Sequence, residues 1–352
     1  MGEDVYVRLR EFLDKLPGGY PATEDGVELK ILKKLFTEED AELVMKLSPL
    51  PEPVDKIAQR LEMDPAEAEE TLERLAKEGS IYRVRLGGKP HYMAIQFVVG
   101  IYEFHLNSID RELAELMEEY LPVLGKVWKD VPTKQLRVAP SVGAVDAAPA
   151  VGTYDRVREL IKEQDLIAVA PCICRKEQGL MDNECERPHE VCMSFGFGAD
   201  YYIENEMGRK IDREEAIAIL DKAEEAGLVL SPSNSQQLMN VCCCCECCCG
   251  VLRTLKTFDR PADYVASSFQ ARIDPDLCSA CGTCVDRCQI DAIIEGDTMA
   301  VDEKRCIGCG LCVSTCPEEA IAMVEKPGDK PDIPKSYTDL GMRILKDRGI
   351  LK

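Results

Sequence analysis

The residues best suited to chemistry in this chain are its nineteen cysteines, none of which lies before Cys172 or after Cys316. The densest stretch is VCCCCECCCG at 241–250, which holds Cys242, Cys243, Cys244, Cys245, Cys247, Cys248 and Cys249. A looser group, Cys172, Cys174, Cys185 and Cys192, precedes it. The remaining eight fall into two runs of one spacing, Cys278, Cys281, Cys284, Cys288 and Cys306, Cys309, Cys312, Cys316, offset by 28 residues with Gly282 matching Gly310. Thiolates are soft ligands, and three of them two residues apart can wrap one corner of an iron–sulfur cube. Zinc ribbons instead use two separated C-x2-C pairs, so the spacing argues against zinc.

In such a doubled pattern the fourth cysteine ligates the other cube. The expected sets are therefore Cys278, Cys281, Cys284 and Cys316 for one [4Fe-4S] cluster, and Cys306, Cys309, Cys312 and Cys288 for the second. The segment 272–325 closely resembles a bacterial two-cluster ferredoxin. That resemblance implies a βαββαβ-like domain, two cubanes close enough for electron hopping, and a low reduction potential. Pro317 follows Cys316 as in that family, but Gln289 stands where the first proline is expected, which predicts a looser turn after Cys288.

Eleven cysteines remain. LIAVAP before Cys172 reads as a buried strand and LMNV before Cys242 as another, so both thiol groups are expected at strand ends, facing one site if the strands are neighbours. Consecutive side chains of a strand point to opposite faces, so the run 242–249 is expected to adopt a turn or helical start. A helical turn would set Cys242, Cys245 and Cys249 on one face and Cys244 with Cys248 on another. The reading is at least one additional iron–sulfur cluster of unknown type, with ligands drawn from both groups. Soft-metal storage and plain burial of individual thiols are the alternatives. Arg175, directly after Cys174, is the candidate for tuning that cluster by its charge. His189 is expected to be an ordinary loop histidine. GFGAD at 196–200 lacks the third glycine of a dinucleotide fingerprint, and no Walker sequence occurs. With PCICR at 171–175 and the terminal ferredoxin pattern, 153–325 resembles a group of ferredoxin-containing proteins from strict anaerobes.

The elements that must position these thiols read as an α+β multidomain chain. Its expected parts are an N-terminal helix and loop (1–27), a first domain (28–105), a long helix (106–137), an Ala/Pro/Gly-rich linker (138–152), an α/β cysteine-rich domain (153–270), the dicluster domain (271–326) and a tail helix (327–352). Asp4, Thr37, Asp64 and Asp212 precede apolar-periodic runs as helix caps, and Gly79 and Gly227 end two of them. Glu215 is placed to reach back to its cap. Three helices and a hairpin turning at Gly87 and Gly88 make 28–97 resemble a winged-helix domain. Its would-be recognition helix, 64–78, carries six acidic residues against Arg74 and Lys77, and the hairpin adds only Arg83, Arg85 and Lys89. Such a helix is repelled from phosphates, so a docking or dimerisation role is expected rather than DNA binding.

The formal charge of −21 points the same way. No apolar run is long enough to span a bilayer, which with reduced thiols suggests a cytoplasmic protein without membrane insertion. The function expected is relay of low-potential electrons between protein partners, with a redox protein as partner and a second copy of the chain as the alternative. A reductase acting on a disulfide or small substrate, and a redox-sensing regulator, are the competing readings.

Overall fold

The computed structural model describes residues 4–141, 143–144, 156–327 and 332–351, in mixed helix and strand. Helix α1 (Val5–Asp14) begins where Asp4 accepts the Tyr6 N–H, and it buries Leu9 and Leu13. Helices α2 (Val27–Leu35), α3 (Glu38–Val44) and α4 (Val54–Leu61) follow. Then comes α5 (Pro65–Glu78), capped by Asp64, carrying Pro65 in its first turn and stopped by Gly79 at φ +90°. Strands β2 (Tyr82–Leu86) and β3 (Lys89–Met93) make a hairpin, and the short β1 (Glu52–Pro53) pairs with β3. The long helix expected over 106–137 is shorter at both ends: α6 (Arg111–Asp130) starts after Asp110, which accepts the Leu113 N–H, and stops before Val131, whose backbone is extended. Its buried stripe is Leu113, Met117, Tyr120 and Leu124, with Leu116 and Leu121 only half-buried.

The expected linker begins as structure. Arg137, Val138 and Ala139 are buried, Ala139 bridging to Leu230 and Arg137 to Ala266, while the Ser141 N–H donates to the Cys309 carbonyl at 2.8 Å. Alternating small and apolar side chains let this stretch act as an extended edge. Positions 142 and 145–155 lie outside the described residues.

The cysteine-rich domain holds α7 (Val157–Lys162), β4 (Ile167–Pro171), α8 (Ile173–Leu180), β5 (Glu190–Phe195), α9 (Phe197–Glu204), β6 (Arg209–Ile211), α10 (Arg213–Glu225), β7 (Val229–Pro232), β8 (Asn240–Cys244) and α11 (Gly250–Lys256). Its antiparallel sheet has the order β6-β4-β5-β8-β7. One face, with Ile167, Val169, Met193, Leu230 and Val241, packs on α7 and α10 in a single aliphatic core. Glu215 does not reach back to its cap; its carboxylate pairs with Arg209 at 2.6 Å, while Asp212 accepts the Glu215 N–H.

The N-terminal module is fastened to this domain. Tyr201 of α9 donates its hydroxyl to the Ala76 and Ile81 carbonyls at 2.6 and 2.9 Å. Arg83, only 5% exposed, reaches Glu73, Asn205 and Glu204, and Arg85 pairs with Glu204.

In the last domain β9 (Phe269–Ile273) pairs with β12 (Ile321–Glu325), and β10 (Ile293–Ile294) with β11 (Ala300–Val301). Helix α12 (Thr283–Arg287) follows the first cysteine loop. Its expected counterpart after Gly310 is not a helix: 311–315 is a series of turns with the Val313 N–H on the Gly310 carbonyl and the Cys316 N–H on that of Val313. These i to i+3 bonds wind too tightly for α-helix. Helix α13 (Tyr337–Asp347) is capped by Ser336, and Arg348 beyond it binds the Leu16 carbonyl and Asp14, tying the end of the chain to its beginning. Among the described residues no helix is long and apolar enough to cross a membrane.

Candidate metal centre

The 28-residue repeat survives in the backbone of the last domain. Ala280 and Gly308 share positive φ (58° and 76°), as do Gly282 and Gly310 (80° and 71°) and Asp291 and Glu319 (54° and 49°). Such angles wrap the chain around a point and turn amides inward. The amides that result donate to sulfur in matched pairs. Ala292 N–H faces Cys288 Sγ at 3.2 Å and Ala320 N–H faces Cys316 Sγ at 3.3 Å; Met299 serves Cys278 and Ala271 serves Cys306, both at 3.4 Å.

Cys278, Cys281, Cys284 and Cys316 line one cavity together with Met299 and Pro317. Cys312 lies within electrostatic reach of Cys309, Cys306 and Cys288. Cys316 thus stands among the cysteines of the first run and Cys288 near those of the second, and the thiols with their N–H donors have the chemistry to bind 4Fe-4S clusters. Burial pushes Cys309 up to about 12 and also raises Cys312 well above the ordinary thiol value, so metal must displace tightly held protons there.

The central cysteines are arranged differently from the sequence expectation. β4 and β8 are not neighbours, since β5 lies between them. The run also begins inside a strand, because β8 pairs on both edges, with β5 and β7. Strand alternation, not helical spacing, then sorts the thiols: Cys242 and Cys244 face one side and Cys243 the other. Residues 245–248 form the turn, and Cys249 is the cap residue of α11.

One group gathers at this turn. The sulfurs of Cys185, Cys245, Cys247 and Cys248 all lie within 4.8 Å of one another, a spacing that one metal ion can use. Cys247 is exposed and accepts from Arg187 Nη1 at 3.4 Å; the other three are buried. A hydrogen bond from the Cys248 thiol, with the charge of Arg175, lowers Cys245 to about 4, so this group already favours a thiolate. His189 hydrogen-bonds the Cys185 carbonyl at 2.9 Å and holds the loop rather than offering a ligand.

A second group runs along the opposite sheet face. Sulfur contacts link Cys172 to Cys174, Cys174 to Cys249, Cys249 to Cys244, Cys244 to Cys242, and Cys242 to Cys192. Mutual contact and burial raise the thiols of Cys172, Cys242 and Cys244. Cys243 stands apart, in the aliphatic core beside Val241.

Arg175 connects the groups. It is fully buried, donates Nη2 to the Cys243 carbonyl at 3.0 Å, and lies beside Cys172, Cys245 and Cys185. Its Nε and Nη1 have no hydrogen-bond partner among the described residues. A buried guanidinium with free donors among thiols calls for negative charge on those sulfurs or on what they hold. An apolar cavity of about 100 Å³, with Val98, Trp128, Leu252 and Phe258 in its wall, ends on Cys244 and Ser231.

Sequence reasoning marked Gln289 as a departure from the proline pattern but missed its contact. Its side chain, 2% exposed, accepts the Glu246 N–H at 3.1 Å, so the residue replacing proline after Cys288 joins the dicluster domain to the turn of Cys245, Cys247 and Cys248. Lys256 reinforces the joint by pairing with Glu246 and Asp291. The departure from the proline pattern was the available signal.

No curated protein and no solved structure matches the chain. Residues 271–323 match the model of a 4Fe-4S dicluster domain, and with the central cysteine cluster this marks the protein as one suited to iron–sulfur electron transfer.

Proposed function

We propose that the protein relays low-potential electrons between a redox protein and its own central thiol centre, through two [4Fe-4S] clusters held by Cys278, Cys281, Cys284, Cys316 and by Cys306, Cys309, Cys312, Cys288. A [4Fe-4S] group takes up and releases one electron at a time. The observation that carries the reading is the Gln289 joint, which sets the four-thiol group of Cys185, Cys245, Cys247 and Cys248 one hydrogen bond from the turn after Cys288. Arg175 supports it, because a fixed positive charge favours the more reduced state of whatever the thiols hold. The first domain, whose helix and hairpin order supports a winged-helix reading, serves here as a brace: Arg83 and Arg85 are spent on Glu73 and Glu204, which argues against nucleic acid as its ligand.

The test is anaerobic purification with iron and sulfide quantitation, followed by stoichiometric reduction and freeze-quenched electron paramagnetic resonance. The relay predicts about twelve or more irons per chain and electron arrival at a signal outside the two cubanes. Gln289→Leu slows that arrival without changing the iron content. About eight irons, or a central signal that never reduces, would sink it.

A further inference from the structure

We infer that Cys172, Cys174, Cys192, Cys242, Cys244 and Cys249 form a metal site of their own, holding one polynuclear iron–sulfide cluster with more thiolate ligands than the four of a cubane. The inference rests on the relay reading only for the identity of iron; the separation of two thiol sites stands on geometry.

The strand register makes that separation. Met193 pairs with Val241 and Ser194 with Asn240, so the next step places Cys192 opposite Cys242; across the other edges Ala170 pairs with Cys192, and Ser231 with Cys242. Residues opposite one another share a face, so Ala170, Cys192, Cys242 and Ser231 form one row across four strands. Ala168, Ser194 and Asn240 form the next row, and Val229 lies opposite Cys244. Apart from Asn240 and Val229 these rows carry only Ala, Ser and Cys, whose short side chains leave room above the strands. Val241 and Cys243, alternating with these, point into the opposite aliphatic core. The backbone of β8 therefore stands between this face and Cys243, and the four-thiol group gathers at the turn beyond the strand.

Chain topology supplies the other three thiols. β4 ends at Pro171, and Cys172 and Cys174 lie on the entry to α8; Cys249 lies at the entry to α11. Backbone N–H groups of Arg175, Gly250 and Leu252 face the sulfurs of Cys172, Cys174 and Cys249, the same amide-to-sulfur arrangement seen at Cys278, Cys288, Cys306 and Cys316. Asn240 Nδ2 adds a donor to Cys242 Sγ at 3.8 Å. Donors converging on sulfur stabilise thiolate and inorganic sulfide, whereas a thiol packed as a small hydrophobe needs none. Two observations point to a ligand independently of the thiols. The buried Arg175 brings donors without a hydrogen-bond partner among the described residues up to Cys172, as well as to Cys245 and Cys185, and Cys244 and Ser231 line part of the apolar cavity. Six contiguous sulfurs exceed what one cubane or one zinc ion uses, and soft thiolate sets of this size select iron–sulfide or Cu(I).

The experiment compares oxygen-free wild type with two double variants, Cys192→Ala/Cys242→Ala and Cys185→Ala/Cys247→Ala, and with Cys243→Ala as control. Iron, copper, zinc and sulfide are counted, and ⁵⁷Fe Mössbauer and electron paramagnetic resonance spectra are recorded. Expected are about sixteen or more irons in wild type. The first double variant loses at least about four irons and one spectral component, the second loses a different component, and the control loses none. Persistence of the two-cubane spectrum in each variant shows that it folded. About twelve irons, loss of one common component in both variants, or copper or zinc in place of iron overturns the inference and leaves the relay standing; about eight irons removes both. A disulfide between any two of the six thiols, found by mass spectrometry of the anaerobic protein, overturns it as well.

Discussion

Replacing Gly308 by alanine is the sharpest test of how the dicluster loops are built. Gly308 has φ +76°, and an added Cβ would fall far inside van der Waals contact with the Phe269 carbonyl oxygen and the Ser267 hydroxyl. The left-handed conformation costs a non-glycine residue about 1–2 kcal/mol. Forcing backbone apart in a packed site costs about 1–3 kcal/mol more. Gly282, at φ +80°, carries only the first cost, because a Cβ there meets nothing within 4 Å. Gly308→Ala should therefore lose about 2–5 kcal/mol and Gly282→Ala about 1–2 kcal/mol. The carbonyl that must give way belongs to β9, whose next two residues end at the Ala271 N–H that serves Cys306. The loss should therefore appear at one cluster, as about four missing irons with the signal of the Cys306, Cys309, Cys312 and Cys288 set weakened. Anaerobic thermal melting by circular dichroism and iron counting read both. If Gly308→Ala keeps all its iron and melts with Gly282→Ala, the loop is not held as described.

Other expectations follow from the same kind of contact. Arg83→Ala strips a buried cation from Glu73 and Glu204; the carboxylates still reach solvent, so the cost is about 2–3 kcal/mol, read as a lower melting temperature. Arg175→Gln, which keeps a donor but removes the charge, should move the midpoint potential of the central signal negative in a redox titration; an unchanged potential places the charge elsewhere. Burial raises Glu103 from 4.5 to about 7. Its stabilising neutral form is fully favourable below pH 4.5, and stability falls as pH rises from there to about 7 and then levels. Glu103→Gln should flatten that slope and gain about 1–3 kcal/mol at pH 8, checked by chemical denaturation at pH 5 and pH 8.

What was legible in the sequence followed local rules. Asp4, Thr37, Asp64 and Asp212 cap the helices they precede, Gly79 and Gly227 end two, and the hairpin turns at Gly87 and Gly88, because each needs only a few adjacent residues. The doubled cysteine spacing likewise carries its own geometry. The central site was not legible, because its partition depends on pairings between distant strands. LMNV announces a strand, but nothing in CCCC carries it on to Cys244; cysteine has no strand signature as strong as valine's, and the strand extends because β5 and β7 flank it. The same holds for the start of the expected linker at 138–141, whose composition suggests a spacer but whose Ala139 bridges to the sheet at Leu230. Gln289 shows the converse: a departure from a family pattern marked a contact that no local rule predicts.

The cysteine strand has a consequence for how the protein matures. Four identical residues in a row cannot define their own register, since a slide of two positions would put sulfur where sulfur already was. Pairing of β8 to two neighbours removes that ambiguity without help from any inorganic atom. The sheet then acts as a mould, deciding in advance which thiols each incoming iron can meet, and weakening either neighbouring strand would scramble the casting rather than merely loosen it.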